Sequence, residues 1–284
     1  MNTLAIRHVL LDAQRTGLER LDAQMLLLLA LGRNPNDRAW LLAHDDSLLT
    51  PDQATRYAQT CERRLRGEPL AYIAGHKEFF GLDLQVDARV LVPRPDTETL
   101  VQWALDTLEV TAAGTSRPLR VLDLGTGSGA IALAIQRSQP ATDTWATDAS
   151  ADALAVARTN AMALGLPITF REGRWWNAVP GERFHLAVSN PPYIEPDDPH
   201  LQRLTHEPPS ALVAGPDGLT DLRDLVLGAP SHLHPEGWLL VEHGHDQAGR
   251  VRALFRQAGF ANVSTRNDIA GIERCTGGQW LEKP

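Results

Sequence analysis

The sequence predicts an α/β fold with a doubly wound, mostly parallel sheet, preceded by a small helical bundle. Two observations carry this prediction. From Leu119 onward, apolar runs of strand length alternate with helical segments, which is the pattern of parallel strands joined by crossover helices. Before residue 75, apolar residues recur at helical spacing instead.

Three parts follow from these patterns. Residues 1–74 are predicted to be a helical domain in which Thr50 and Pro51 start one helix, because a hydroxyl caps the first turn and proline suits the first helical position. Residues 75–92 alternate apolar and polar residues around a glycine, so we expect a β-hairpin linker. Residues 93–284 form the α/β domain. The helical domain either docks a macromolecular partner or serves only as a packing module.

Composition and charge argue against several classes of protein. The 27 basic and 35 acidic residues give a net charge of −8, and stable nucleic-acid binding needs clustered lysine and arginine instead. No apolar run approaches the roughly 20 residues of a membrane span, and no basic leader precedes a long apolar core at the N-terminus. We therefore expect a cytoplasmic protein without membrane contact, and we expect it to be a monomer.

No metal site is predicted. The two cysteines, Cys61 and Cys275, form neither a CxxC motif nor a cluster of metal ligands. His243 and His245 lie close together in the sequence, but no third ligand occurs at metal spacing.

A glycine-rich loop, D-L-G-T-G-S-G-A, follows the first strand of the α/β domain. Its glycines let the backbone turn tightly and approach a ligand without a Cβ in the way. Asp148 ends the next strand, where a carboxylate can accept hydrogen bonds from ribose hydroxyls. The pair indicates a nucleoside-containing cofactor. Because Gly125, Gly127 and Ala130 also fit the dinucleotide pattern G-x-G-x-x-[GA], a dehydrogenase stays open at this point.

Asp123, just before the glycines, distinguishes between the cofactors. A carboxylate beside the ligand would oppose a pyrophosphate but attract a cation, such as the ammonium group of S-adenosylmethionine. In sheets of this class ligands bind beyond the carboxyl ends of the strands, and both Gly125 and Asn190 fall at such ends. These observations favour S-adenosylmethionine.

The run S-N-P-P-Y-I, residues 189–194, ends a later strand with two consecutive prolines. Prolines have no N–H, so the corner offers two acceptors, the Asn190 side-chain oxygen and the Pro191 carbonyl, without competing donors. Such acceptors suit an NH2 group, whose nitrogen they orient while they stabilise the charge that develops on it during attack. Tyr193 is expected to pack flat against a planar amide.

The glycine loop, the acidic strand end and SNPPYI together resemble the S-adenosylmethionine-dependent methyltransferases that act on planar NH2 groups. The segments VLVPRPDTETLV, EPPSALVAGPDGL and LLVEHG are similar to those of the HemK/PrmC-type release factor glutamine methyltransferases, over nearly the whole chain. A sister family acting on a ribosomal protein glutamine typically has PRSP where this chain has PRPD. That difference favours release factors as the substrate.

The resemblance implies a class I methyltransferase fold with a seven-stranded sheet, S-adenosylmethionine as cofactor, and class-one peptide chain release factors as partners. It implies methylation of the glutamine in their Gly-Gly-Gln motif. The implied cofactor-site residues are Asp123, Gly125, Thr126, Gly127, Ser128, Gly129, Asp148, Trp175 and Asn190. The implied substrate-site residues are Asn190, Pro191, Pro192 and Tyr193, of which Asn190, Pro191 and Tyr193 form the catalytic group.

Two positions depart from the pattern of the family. Arg174 stands where an aspartate usually precedes the tryptophan, so the usual carboxylate is missing there. His206 stands where an aromatic residue usually precedes Glu207-Pro208, which changes the packing around the substrate.

Other functions stay open at this stage. The chain could methylate adenine N6 or a ribosomal protein glutamine, or it could be a silent docking module for release factors or the ribosome. Its own Gly277-Gly278-Gln279 also raises self-methylation, but this triplet has the pattern of a closing strand, from which the glutamine would not reach the site.

Overall fold

The computed structural model describes residues 5–112 and 117–281. The chain divides into two compact units, with the boundary between His76 and Lys77. The first unit is helical and the second is an α/β domain. The finer division expected from sequence, with boundaries after residues 74 and 92, stays a prediction.

The first unit consists of helices around a leucine-rich core. Its described helices are α1 (Ile6–Arg15), α2 (Arg20–Ala30), α3 (Arg38–Ala43), α4 (Pro51–Leu65) and α5 (Leu70–Ala74). Leu26, Leu27 and Leu28 of α2 are fully buried in this core. The start of α4 is confirmed: Gln53 N donates to Thr50 Oγ1 at 3.2 Å, and Thr50 N donates to Gln53 Oε1 at 2.9 Å, which is a capping box.

A β-hairpin follows α5. Its strands, β1 (His76–Phe79) and β2 (Leu82–Gln85), are joined by Phe80 and Gly81. Both joining residues have left-handed backbone, with φ of 49° and 75°. Glycine adopts this conformation without strain, which accounts for the predicted turn at Gly81.

The second unit confirms the predicted sheet. Within the described residues its seven strands are β3 (Arg120–Leu124), β4 (Asp143–Asp148), β5 (Thr169–Glu172), β6 (Phe184–Ser189), β7 (Leu233–Glu242), β8 (Ala261–Asn267) and β9 (Glu273–Gln279). Its described helices are α6 (Glu98–Ala112), α7 (Ala130–Ser138), α8 (Ala151–Leu164), α9 (Thr220–Gly228) and α10 (Ala248–Gln257). The strand order is β5-β4-β3-β6-β7-β9-β8, with β9 antiparallel to both neighbours and the first five strands parallel.

Helices cover both faces of the central strands, so these strands are buried on both sides. In β3, Val121 belongs to the core on one face, whereas Leu122 belongs to the core on the other. Leu186 and Ala187 of β6 divide between the two cores in the same way. Parallel strands buried on both faces have continuous apolar sequences, which is why these strands were predictable.

The order of the strands reverses at β3, and this reversal places the site. The chain adds β4 and β5 on one side of β3, and then adds β6 on the other side. The carboxyl ends of β3 and β6 are therefore neighbours, and the Ser189 hydroxyl donates to the Leu124 carbonyl at 2.6 Å. In open α/β sheets ligands bind at such a switch point.

Candidate active site

A cavity of about 460 Å³ opens at the carboxyl ends of β3, β4 and β6. Its size lies within the range of roughly 300–1,000 Å³ that is typical of small-molecule sites. The sequence-predicted residues that line it are Gly125, Thr126, Gly127, Ser128, Asp148, Trp175, Asn190 and Pro192. Asp123, Gly129, Pro191 and Tyr193 do not line it.

The glycine loop forms the floor of this cavity. Gly125 and Gly127 have φ of 75° and 55°, a backbone conformation that side chains rarely adopt. A Cβ on Gly125 would lie 3.0 Å from Cζ3 of Trp175. The loop is fastened to β4, because Gly125 N and Thr126 N both donate to the Thr147 carbonyl, at 2.9 and 2.8 Å. A larger residue at position 125 would therefore disturb the cavity wall.

Asp148 lies at the carboxyl end of β4 and faces the cavity. Its Oδ2 accepts from Gly127 N and its Oδ1 accepts from Ser150 N, each at 2.9 Å. These bonds hold the carboxylate rigidly, while burial raises the pKa of Asp148. Each oxygen keeps a further lone pair, so the arrangement suits a ligand with adjacent hydroxyl groups, such as a ribose.

Asp123 corrects one expectation from the sequence. Instead of facing a ligand, it is fully buried beneath the loop. Its Oδ2 accepts from the Thr126 hydroxyl at 2.7 Å and from Ala132 N at 3.2 Å, and burial raises the pKa of Asp123 to about 7. Asp123 thus holds the loop from behind, because the start of α7 turns its backbone toward this carboxylate.

Trp175 forms another wall of the cavity and is held by an acid that sequence reasoning missed. Its Nε1 donates to Asp221 Oδ1 at 3.1 Å, and Arg174 Nη2 donates to the same oxygen at 2.7 Å. Asp221, in α9, also lines the cavity. A carboxylate from position 221 therefore contacts both Arg174 and Trp175 at the cavity. In the sequence, the only indication of a nearby acid such as Asp221 was the arginine at position 174.

Asn190 is positioned by the loop that precedes α6. Its Nδ2 donates to Thr97 Oγ1 at 3.1 Å, which leaves the side-chain oxygen as the available acceptor. Pro192 lines the cavity beside it, whereas Pro191 is buried. The position of Asn190 at the end of β6 agrees with the acceptor corner expected from sequence.

Tyr193 also differs from expectation, because its ring does not face the cavity. The ring packs against the core that contains Leu122, and the hydroxyl donates to Glu242 Oε1 at 3.1 Å. Its carbonyl accepts from Gln247 Nε2 at 2.9 Å. Burial raises the pKa of Tyr193. Tyr193 therefore supports the corner from behind, since the two prolines turn the chain back into the core.

The segment before α6 closes the rim of the cavity. Pro93, Arg94 and Thr97 line it. Arg94 forms an ion pair with the buried Glu207, whose other oxygen accepts from Val92 N at 3.0 Å. This pair joins two segments that carry the family resemblance, PRPDTE and EPP.

The remaining candidates lie away from the cavity. The chain's own Gln279 is in β9, where its side chain bonds to Asn262 at 2.8 Å and to the Glu236 carbonyl at 3.0 Å. It pairs with Trp238, near the middle of β7, and it does not line the cavity. His243 is buried against Thr276 at 2.8 Å.

Metal-binding clusters and membrane-spanning helices are both absent from the described residues. No group of three or more histidine, cysteine, aspartate or glutamate side chains within residues 5–112 and 117–281 is placed to hold a metal ion. None of the helices in these ranges combines the length and hydrophobicity needed to span a membrane.

Comparison with known proteins identifies the family. The PrmC N-terminal domain model matches residues 6–75, and the methyltransferase small domain model matches residues 102–263. The chain is 49% identical over 273 residues to the release factor glutamine methyltransferase of Xylella fastidiosa (strain Temecula1), covering 95% of this chain and 96% of that protein. It is 49% identical over 265 residues to the release factor glutamine methyltransferase of Bordetella pertussis, covering 92% and 95%.

A solved structure supports the fold independently. A methyltransferase from Pyrococcus furiosus is similar with a TM-score of 0.53 at 17% identity, over 79% of this chain and 100% of that chain. At this identity the likeness concerns the fold alone. Together with the sequence identities above, it confirms the resemblance seen in the motifs: the chain belongs to the release factor glutamine methyltransferase family, whose members are S-adenosylmethionine-dependent methyltransferases.

Proposed function

We propose that this protein transfers a methyl group from S-adenosylmethionine to the side-chain amide nitrogen of the glutamine in the Gly-Gly-Gln motif of class-one release factors. The observation that carries the proposal is the hydrogen bonding and position of the Asn190 side chain. Its Nδ2 is occupied by Thr97, and it lines the same cavity as the glycine loop and Asp148. An amide acceptor and a nucleoside site thus share one cavity. The names of the relatives support release factors as the substrate.

The cofactor is held, in this proposal, by the loop and the strand ends. The backbone of residues 125 to 128 would approach it closely, Asp148 would accept from its ribose hydroxyls, and Trp175 would lie against its adenine. Bound there, S-adenosylmethionine supplies an electrophilic methyl group on sulfur. Asp221, which lines the cavity and accepts from the Trp175 Nε1, is available to the adenine end.

The substrate amide is oriented by the corner at the end of β6. A free amide nitrogen is a poor nucleophile, because its lone pair is delocalised into the carbonyl. The Asn190 oxygen, which lines the cavity, accepts one of its N–H groups and stabilises the positive charge that develops as nitrogen attacks. The carbonyl of Pro191, a residue that is buried and does not line the cavity, stays the second acceptor only as an expectation from the sequence motif. As the nitrogen–carbon bond forms, the methyl–sulfur bond would break and the cofactor would leave as a neutral thioether. The alkylated nitrogen then loses a proton, which has become acidic, to water, so no general base is required before attack. Fixed alignment supplies the rest of the rate enhancement.

Transfer of labelled methyl to a purified release factor tests this proposal. The control is the same factor with the glutamine of its Gly-Gly-Gln motif replaced by alanine. We expect label on the intact factor alone. Equal label on both factors, or none on either while cofactor binding is demonstrated, would overturn the assignment and direct the search to a ribosomal protein or to nucleic acid.

A further inference from the structure

A buried set of hydrogen-bonding groups lies behind Asn190. The Asn190 Nδ2 donates to Thr97 Oγ1 at 3.1 Å, and the Tyr193 hydroxyl donates to Glu242 Oε1 at 3.1 Å. The Thr97 hydroxyl also faces Glu242 and lowers the pKa of that carboxyl, against the larger, opposite effect of burial. Thr97 is 4% exposed and Glu242 is 1% exposed. The three side chains therefore connect Asn190 to the end of β7.

The chemistry of these groups fixes the direction of each bond when Glu242 is ionised, which its pKa of about 7 places above neutral pH. An ionised carboxylate can only accept, so the hydroxyls of Tyr193 and Thr97 then both direct their hydrogens toward Glu242. The Thr97 oxygen is then left with lone pairs and acts as an acceptor. Of the two polar atoms of the Asn190 amide, only Nδ2 can donate to it, and Oδ1 is left for the cavity.

The opposite orientation of Asn190 would defeat the proposed reaction. With its amide reversed, Asn190 would present an NH2 group to the NH2 group of the substrate. Two donors cannot pair, and the charge that develops on the substrate nitrogen would meet a positive dipole end instead of an acceptor. The orientation of this one amide therefore matters for the chemistry, although a side-chain amide is nearly symmetric in shape.

The burial and incomplete hydrogen bonding of Glu242 are consistent with a role in orienting Asn190. Its Oε2 has no hydrogen-bond partner within the described part of the chain. A buried carboxylate with an unpaired oxygen costs free energy, and packing alone would favour a neutral side chain there.

We propose that Thr97 and Glu242 are positioning residues that set the orientation of the Asn190 amide toward the substrate. The inference rests on the proposed function, since it assigns the atom of Asn190 that receives the substrate amide. Neither residue touches the reacting atoms in this account.

Matched substitutions at Thr97 test the inference through activity. Thr97→Val keeps the shape but removes the hydroxyl, whereas Thr97→Ser keeps the hydroxyl. We expect Thr97→Val to lower kcat about 10- to 100-fold, less than the loss for a preorganised group that contacts the reacting atoms, because Thr97 acts through Asn190. The Kd for S-adenosylmethionine should stay within about twofold of wild type. The kcat of Thr97→Ser should be higher than that of Thr97→Val and close to that of wild type. The control is Thr144→Val, another buried threonine, which hydrogen-bonds to Thr142 at the far end of β4.

A second readout does not depend on the substrate. In the full chain, the side-chain NH2 of Asn190 should show slowed hydrogen exchange by NMR in wild type and in Thr97→Ser, and rapid exchange in Thr97→Val. If wild type methylates no release factor, the proposed function fails, while this measurement still decides the orientation of Asn190. Equal kcat for Thr97→Val and Thr97→Ser, or unchanged exchange of the Asn190 amide in Thr97→Val, would overturn the inference.

Discussion

At the scale of single residues, the site contains buried charges that the fold tolerates at a cost. Asp123 and Glu242 are both fully buried, and burial raises the pKa of each to about 7. One oxygen of each carboxylate has no hydrogen-bond partner among the described residues. Both residues lie behind the cavity, one holding the glycine loop and the other facing Thr97. Because buried carboxylates destabilise the fold, a functional role best explains why positions 123 and 242 carry them.

Glu242→Gln should therefore stabilise the protein, and more so at high pH. Because the pKa of Glu242 is raised from 4.5 to about 7, its protonated form is favoured in the folded state. Wild type then loses stability as pH rises from the unfolded pKa through about 7, and the neutral glutamine does not. The difference in free energy of unfolding should approach about 3 kcal/mol at pH 8, reduced by any weakened hydrogen bond, and be near zero at pH 4.

Denaturant unfolding of both proteins at the two pH values measures this difference. Asp123 titrates in the same range but is present in both proteins, so its contribution cancels. The other groups around Glu242 are Asp96, Tyr193, Arg274 and Cys275, and all four are present in both proteins, so their contributions also cancel. A difference that is the same at pH 4 and pH 8 would contradict the assignment of a buried, ionised Glu242.

Asp221→Ala should weaken cofactor binding. It removes the acceptor of the Trp175 Nε1 hydrogen bond and leaves Arg174 without the nearer of its two partners. We expect the Kd for S-adenosylmethionine to rise about tenfold, the equivalent of about one hydrogen bond. The control is Asp224→Ala, which removes the more distant and exposed partner of Arg174 and should leave the Kd nearly unchanged. Calorimetry that shows equal effects for both variants would contradict the role of Asp221.

At the scale of elements, the sequence predicted the strands and helices of the sheet because their patterns are local. β3 and β6 are largely apolar runs of strand length, and α8 begins and ends where its capping residues indicate. The short helices α3 and α5 were missed, since five or six residues carry too little periodicity to distinguish them from loops.

The site was predictable in part, for a related reason. The glycine loop and Asn190 follow from motifs, but Thr97, Asp221 and Glu242 act through contacts between segments distant in sequence. The motif also did not reveal the side-chain direction of Tyr193, which the two prolines turn into the core. Local pattern thus gives the position of a residue in an element, and tertiary structure decides what it touches.

Gly125→Ala tests how closely the glycine loop must approach the ligand. Its Cβ would meet Trp175 at 3.0 Å in a left-handed backbone with φ of 75°. The control is Gly165→Ala, at the end of α8, where φ is 66° but no atom lies within 4 Å. Both substitutions should destabilise by about 1–2 kcal/mol through backbone strain. Only Gly125→Ala should also raise the Kd for S-adenosylmethionine; similar Kd values for the two variants would contradict the account.

At the scale of the whole molecule, charge separates protein from nucleic acid as the substrate. The net charge is −8, whereas binding to a phosphate backbone requires clustered cations. We therefore expect no tight binding of RNA or DNA in filter assays at about 0.15 M salt. Tight binding that weakens steeply with salt would instead favour adenine N6 methylation at the same amide-binding corner.

The central claim is that Asn190 receives the substrate amide in a cavity whose loop holds the cofactor. The most direct test is single-turnover methyl transfer by Asn190→Ala at saturating release factor, with the Kd for S-adenosylmethionine measured on the same preparation. We predict a loss of transfer rate of about 100-fold or more, as for other preorganised polar groups, with the Kd within about threefold of wild type. Loss of transfer and of cofactor binding to the same extent, or full transfer by the variant, would contradict the claim.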